Sequence, residues 1–293
     1  MSGNAFDDQT RAALLAMQRE EITGQRIYAR LADITRDEHN RGVLHRIAVE
    51  EARHYETLHT LTGASVQPHG WRVTLFYWLA RLFGLTFGIK LMERSEESAQ
   101  AQYSAYRDQV PGLSAIQADE EQHERELVGM LDEEALQYAG SVVLGLNDAL
   151  VELTGALAGY SLAFQNTRVI ALTGLITGIS ASLSMAASEY LSTRAEGGPQ
   201  SPAKAAIYTG IAYVLTVALL VLPYFLFAHY LVCLATTLIV AVLIIALFNY
   251  YLAVVRDLHF RQRFAEMALI SLGVAALSFG IGYLVRVLFG VEV

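Results

Sequence analysis

Beyond Gly140 the chain carries five apolar runs, at approximately 141–163, 169–191, 206–228, 230–254 and 266–289, each long enough as a helix to cross about 30 Å of hydrocarbon. The half that precedes them is of opposite character. Residues 1–138 hold 14 Lys+Arg and 22 Asp+Glu, a net charge of −8, whereas residues 139–293 hold seven of each. This division predicts an all-α, multi-pass membrane protein with a charged, water-facing domain at 6–138 and a five-span membrane domain at 139–293.

Orientation follows from the basic residues of the short loops. With the N-terminal half in the cytosol, the inside loops hold Arg194, Lys204, Arg256, Arg261 and Arg263, and the outside keeps Arg168 and Arg286. The positive-inside bias therefore predicts a cytosolic N-terminal domain and an outward-facing C-terminus. The N-terminus is polar, with Asp7, Asp8 and Arg11 and no apolar signal-peptide core. The acidic balance excludes nucleic acid as an expected partner. Cys233, the single cysteine, permits neither an intrachain disulfide nor a multi-thiolate metal site.

In the first half, residues 6–62 show helical spacing of apolar residues on either side of a turn at Asp33–Asn40. A second helical pair is expected at about 90–108 and 113–138, punctuated by Pro111-Gly112. The long connection at 63–89 then makes a four-helix bundle with one crossover. Within that connection the apolar, aromatic segment Trp71–Leu91 is read as a helix lying in the membrane interface or packed on the bundle. A span is disfavoured because Arg81 would sit mid-bilayer, at a cost of about 2.5 kcal/mol or more. His39, His45, His59 and His69 are assigned to surface or packing roles.

Two Glu-x-x-His pairs occur, Glu51-Ala52-Arg53-His54 and Glu120-Glu121-Gln122-His123. At a spacing of three, a carboxylate and an imidazole share one helix face and can hold one metal ion. The first and third helices offer the further carboxylates such a site needs, Glu21 on one and Glu93 with Glu96 on the other. Tyr28 and Tyr103 follow Glu21 and Glu96 by seven residues. Oxygen ligands with one imidazole per metal suit iron or manganese. Glu50, Glu97, Glu121 and Glu124 are ambiguous, since adjacent helical residues point about 100° apart.

On these residues the segment 6–138 resembles the rubrerythrin and ferritin-like superfamily, which implies a ferritin-like four-helix bundle holding a di-iron centre that reacts with oxygen or peroxide. The pair Glu93 and Glu96 is similar to the two glutamates rubrerythrins supply from their third helix. The rubredoxin-like cysteine module of many rubrerythrins is absent, so a peroxidase cycle would require an external reductant.

In the membrane half, Asp148 and Glu152 lie one turn apart on the first span, and Met185 and Glu189 one turn apart on the second. Carboxylates within a span are expensive and point to an ion pathway. Each has a plainer reading too: Met185 as packing, Glu189 as a snorkelling or capping group at the cytosolic interface, Glu266 as interfacial. Gly155-x-x-x-Gly159 and Gly174-x-x-x-Gly178 permit close helix approach.

The stretches Gly145-Leu146-Asn147-Asp148-Ala149-Leu150 and Ser184-Met185-Ala186-Ala187-Ser188-Glu189-Tyr190-Leu191-Ser192 resemble the vacuolar iron transporter family, with alanine at Ala149 and Ala187 in place of the family's glycines. The resemblance implies a homodimer that exports Fe(II) or Mn(II) from the cytosol in exchange for protons, with Asp148 and Met185 lining the path. Plant members insert a glutamate-rich helical domain between spans two and three. Here that gap is only about 193–204, and the N-terminal bundle is expected to replace it. The whole chain resembles the membrane-bound ferritins, which fuse these two modules, and this implies a bacterial inner membrane. The alternative is a membrane-anchored di-iron enzyme that scavenges peroxide or oxidises iron, its spans serving only as an anchor.

Overall fold

The computed structural model describes residues 6–92, 94, 106, 110–130 and 138–289. The chain divides into two compact units, Met1–Glu133 and Glu134–Val293, a few residues before the boundary expected at 138/139. Among the described residues every regular element is helical.

The first unit begins with α1 (Asp8–Ile34) and α2 (Glu38–Thr62), an antiparallel hairpin. Aspartates start both helices. Asp7 accepts from the Thr10 N–H at 2.7 Å and Asp37 from the Asn40 N–H at 2.8 Å, satisfying donors that a first helical turn leaves unpaired. Gly63 ends α2 in the left-handed conformation, φ 63°, which a side chain would strain. There follow α3 (Gly70–Phe83), helical residues 85–92, and α4 (Leu113–Gly129). The expected third bundle helix lies largely outside the described residues, as do Glu93, Glu96 and Tyr103.

Two apolar clusters hold the unit together. One joins Ile27, Leu31, Leu44 and Ile47 of the hairpin to Val73, Phe76 and Ala80 of α3, to Ile89 and Met92, and to Leu127 and Met130. The other gathers Leu14, Met17, Leu58, Val110, Leu113 and Ile116. On α1, α2 and α4 alike, the residues between the clusters are polar and inward-facing. Burying a polar layer between two greasy ones costs free energy unless its members find partners, so this layer is the place to look for chemistry.

The second unit has five helices long and apolar enough to cross a membrane. They are α5 (Ala139–Phe164), α6 (Thr167–Glu196), α7 (Pro202–Val221) continued by the short α8 (Pro223–Leu226), α9 (Tyr230–Val255) and α10 (Phe260–Phe289). Four contain their sequence-predicted runs whole, and the third ends at Leu226, two residues short of the expected 206–228. Asn166 caps α6 by accepting from the Arg168 and Val169 N–H groups at 3.1 and 3.2 Å. Outward faces are apolar, as Leu172, Ile176, Ile179 and Leu183 on α6 illustrate, which suits lipid as the surrounding solvent.

Helix α5 runs through the centre. Its Gly145 lies against the Thr209 backbone of α7, and the Thr209 hydroxyl donates to the Ser141 carbonyl at 2.9 Å. On α10, Ser271 donates to the Leu150 carbonyl at 2.7 Å. Gly155 and Gly159 face Val274 and Ser278 of α10, and Gly282 presses on the Gly159 backbone. Gly174 and Gly178 are filled by Leu157, Val217 and Val221. Both small-residue motifs are therefore used within the chain. The close helix approach that these motifs permit is thus made to helices of the same chain.

Candidate functional site

In the polar layer of the first unit, Glu21 comes from α1, Glu51 and His54 from α2, and Glu120 and His123 from α4. One ligand atom from each of Glu21, Glu51, His54 and Glu120 can be chosen so that all lie within 4.8 Å of one another, a spacing that could hold a metal ion. His54 Nδ1 lies 3.2 Å from Glu21 Oε2 and 3.3 Å from Glu120 Oε1. His123 Nδ1 lies 3.5 Å from Glu51 Oε1 and 3.9 Å from Glu120 Oε1. The two rings stack with centroids 5.9 Å apart.

The far nitrogens are held by two carboxylates that spacing alone left ambiguous or unnoticed. Asp119 Oδ2 lies 3.1 Å from His54 Nε2, and Glu50 Oε2 lies 2.7 Å from His123 Nε2. Each imidazole thus turns one nitrogen to the centre and the other to a carboxylate from another helix. In metal sites that pattern orients the ring and fixes its tautomer. Asp119 and Glu50 each adjoin a glutamate of a Glu-x-x-His pair, and adjacency is the only signal the sequence offers for them.

Burial pushes the His54 imidazole down, but its hydrogen bonds to Glu120 and Glu21 outweigh this and bring it up to about 10. Burial pushes the Glu120 carboxyl up, with the His54 hydrogen bond opposing. A proton on His54 therefore offsets the carboxylates that surround it. Among the described residues, His123 Nδ1 is buried without a hydrogen-bond partner, and buried Glu120 Oε1 has only the 3.3 Å approach of His54 Nδ1, a nitrogen that it shares with Glu21. Orphaned polar atoms aimed at one centre, in an oxygen-and-imidazole donor set, fit a hard-to-borderline divalent ion.

Gly24 makes room for this centre. A Cβ there would come within 2.8 Å of Glu51 Oε2, the far end of a flexible side chain. Gly24→Ala should therefore leave the helices intact while displacing the Glu51 carboxylate. Metal titration of the variant is expected to show weakened binding at unchanged helicity by circular dichroism; wild-type affinity would mean that this carboxylate position is immaterial.

In the second unit, polar groups step along one side of α5. Near its start the Ser141 hydroxyl donates to Glu189 Oε1 of α6 at 2.5 Å. About 10 Å further along the helix lie Asn147 and Asp148, at 1.5 Å per residue. They line an open cavity of about 460 Å³ with Gly140, Val143, Leu144 and Val151. One turn beyond, the exposed Glu152 accepts from the Tyr213 hydroxyl of α7 at 3.1 Å, and Tyr213 itself is wholly buried. Met185 is half-buried and packs at the margin of the apolar core that contains Ala149, Leu150 and Tyr213. Glu189 thus has a specific partner rather than standing free, and Tyr213 is a polar participant that no motif indicated.

Comparison with known protein families matches residues 139–198 to the VIT family. The matched segment comprises α5 and α6, which carry Asp148, Glu152, Met185 and Glu189. With the five apolar helices it supports a VIT-type, multi-pass membrane domain. No curated protein and no solved structure matches the chain.

Proposed function

We propose that the protein exports Fe(II) or Mn(II) from the cytosol in exchange for protons, and that its cytosolic first unit captures, oxidises or senses the same metal at a di-iron or di-manganese centre. The observation that carries this reading is the family match across the two helices that bear the intramembrane carboxylates. The metal is substrate in the second unit and resident cofactor in the first.

In the transport path, Glu189 with Ser141 forms the first oxygen station, Asp148 with Asn147 the second, and Glu152 with Tyr213 the third. A divalent ion arriving at Asp148 displaces its proton, and departure of the ion lets the carboxylate recover one. Repeating that exchange along a ladder of stations moves metal one way and protons the other. Met185 contributes a soft, polarisable sulfur from the neighbouring helix.

The cavity at Asp148 is lined by α5 alone, a single wall. A second copy of the chain, apposed through this face, completes the enclosure. Because Gly155–Gly159 is occupied by α10, introduced cysteines at Leu144 and Val151 should cross-link between copies in a Cys233→Ala background while one at Gly159 does not. Cross-linking confined to Gly159 would reverse the assignment.

In the first unit, Glu21, Glu51, His54, Glu120 and His123 would hold the metal, with Glu93 and Glu96 as further ligands from outside the described residues. The bound metal supplies redox chemistry toward oxygen or peroxide. The chain's own part is to orient His54 and His123 through Asp119 and Glu50, and to exclude water with the apolar clusters on either side.

The test is metal flux into sealed vesicles by the full chain and by a form lacking residues 1–138. Transport by both supports an exporter tuned by its N-terminal unit. Absence of flux in the full chain, together with metal-dependent peroxide consumption, would favour the membrane-anchored enzyme.

A further inference from the structure

Helix α3 belongs to neither site, and it has two apolar faces. One, carrying Val73, Phe76 and Ala80, is buried in the core of the first unit. The other is solvent-facing: Trp71, Leu75, Trp78 and Leu82 recur at i, i+4, i+7 and i+11, a single stripe of an α-helix. Trp71 is 67% exposed, Trp78 53% and Leu82 69%. Ordinary surface helices turn charge or hydroxyl groups outward, so such a stripe requires an occupant.

Three observations identify that occupant as a bilayer. The chain spans a membrane, and the first unit is joined to the first span by a short connector. Met130, at the end of α4, lies in the same apolar cluster as the buried face of α3, and Ala139 begins α5 nine residues later. Nine residues reach at most about 30 Å when fully extended, so the first unit is tethered to a membrane span by a short length of chain. Charge agrees. Residues 70–91 hold Arg72, Arg81 and Lys90 and no acidic residue, in a half of the chain whose net charge is −8. Arg81 is exposed beside the stripe, while Arg72 is engaged with Glu20 at 2.5 Å. Finally, tryptophan with a neighbouring arginine suits the headgroup boundary, where an apolar ring meets wet polar groups.

We propose that the outer stripe of α3 inserts into the headgroup interface of the membrane the protein spans, seating the first unit on the bilayer. The helix lies in the interface rather than crossing it: its 14 residues rise only about 21 Å. The proposal requires membrane insertion of the second unit but neither transport nor metal binding.

Trp71 and Trp78 are the only tryptophans in the chain, so its tryptophan fluorescence reports on α3 alone. The full chain reconstituted into phosphatidylcholine–phosphatidylglycerol vesicles should lose most of its emission when the lipids carry bromine near the headgroup. Bromine deep in the acyl chains should quench less, and aqueous iodide should quench weakly. Trp71→Phe and Trp78→Phe variants should each retain the effect. Free access to iodide without quenching by brominated lipid would overturn the proposal. So would protection from both quenchers, which would mean that a second copy of the chain covers the stripe. Strongest quenching by deep bromines would overturn it in favour of full insertion.

Discussion

Asp148→Asn is expected to abolish Fe(II)- or Mn(II)-dependent proton flux in proteoliposomes almost completely. The substitution preserves shape and one oxygen, so the cavity bounded by Gly140, Leu144, Asn147 and Val151 should persist. What disappears is the ability to trade a proton for a metal ion at that station. Asp148 is half-buried and outside the apolar core of the second unit, so the substitution should leave that core intact. Neighbouring groups should grade the effect. Met185→Leu deletes a soft ligand and retains the packing volume, giving partial loss. Tyr213→Phe removes the hydroxyl that meets Glu152 at 3.1 Å and should slow transport without ending it. Normal flux in Asp148→Asn together with loss of all activity in Glu51→Ala would dismiss the transport mechanism and leave the anchored enzyme.

The difference between what the sequence disclosed and what it withheld follows from the range of the interactions involved. An apolar run of twenty or more residues is a local property, and all five were visible as sequence because a bilayer demands apolarity over the length of each helix. The Glu-x-x-His pairs are local too, since three residues return a helix to nearly the same face. Glu50 and Asp119 could not be resolved that way. Each points about 100° from the glutamate beside it, and its role depends on a histidine brought in by another helix. Gly24 is similar: nothing in α1 reveals that a carboxylate of α2 occupies the space above it. The glycine motifs at 155–159 and 174–178 announced a notch without naming the filler, which proved to be α10 for the first and α5 with α7 for the second. The segment at 71–91 was open between interface and packing, and α3 shows why: one of its apolar faces packs in the core and the other is exposed.

Glu51→Ala and His123→Ala should each remove most of the metal held by the first unit of the full chain, measured as iron per protein after Fe(II) loading, washing and correction for the second unit by an Asp148→Asn background. Each deletes a donor from a layer in which Glu51 is 5% and His123 3% exposed, so water cannot easily substitute for it. The two losses should also differ in kind. Glu51→Ala takes away a carboxylate that His123 Nδ1 faces at 3.5 Å, and leaves the His54, Glu21 and Glu120 side of the centre in place. His123→Ala leaves Glu50 without its 2.7 Å partner and unburdens Glu120, so residual metal should shift toward the His54 side. The milder variants Asp119→Asn and Glu50→Gln keep every ligand and disturb only the groups that orient the rings. They should lower affinity by about 10–100-fold at unchanged stoichiometry. Full occupancy in both ligand variants would place the metal elsewhere and reduce the Glu–His layer to a buried polar network. Intact stoichiometry with altered affinity in the orienting pair, against lost stoichiometry in the ligand pair, is the pattern that a network without metal cannot produce.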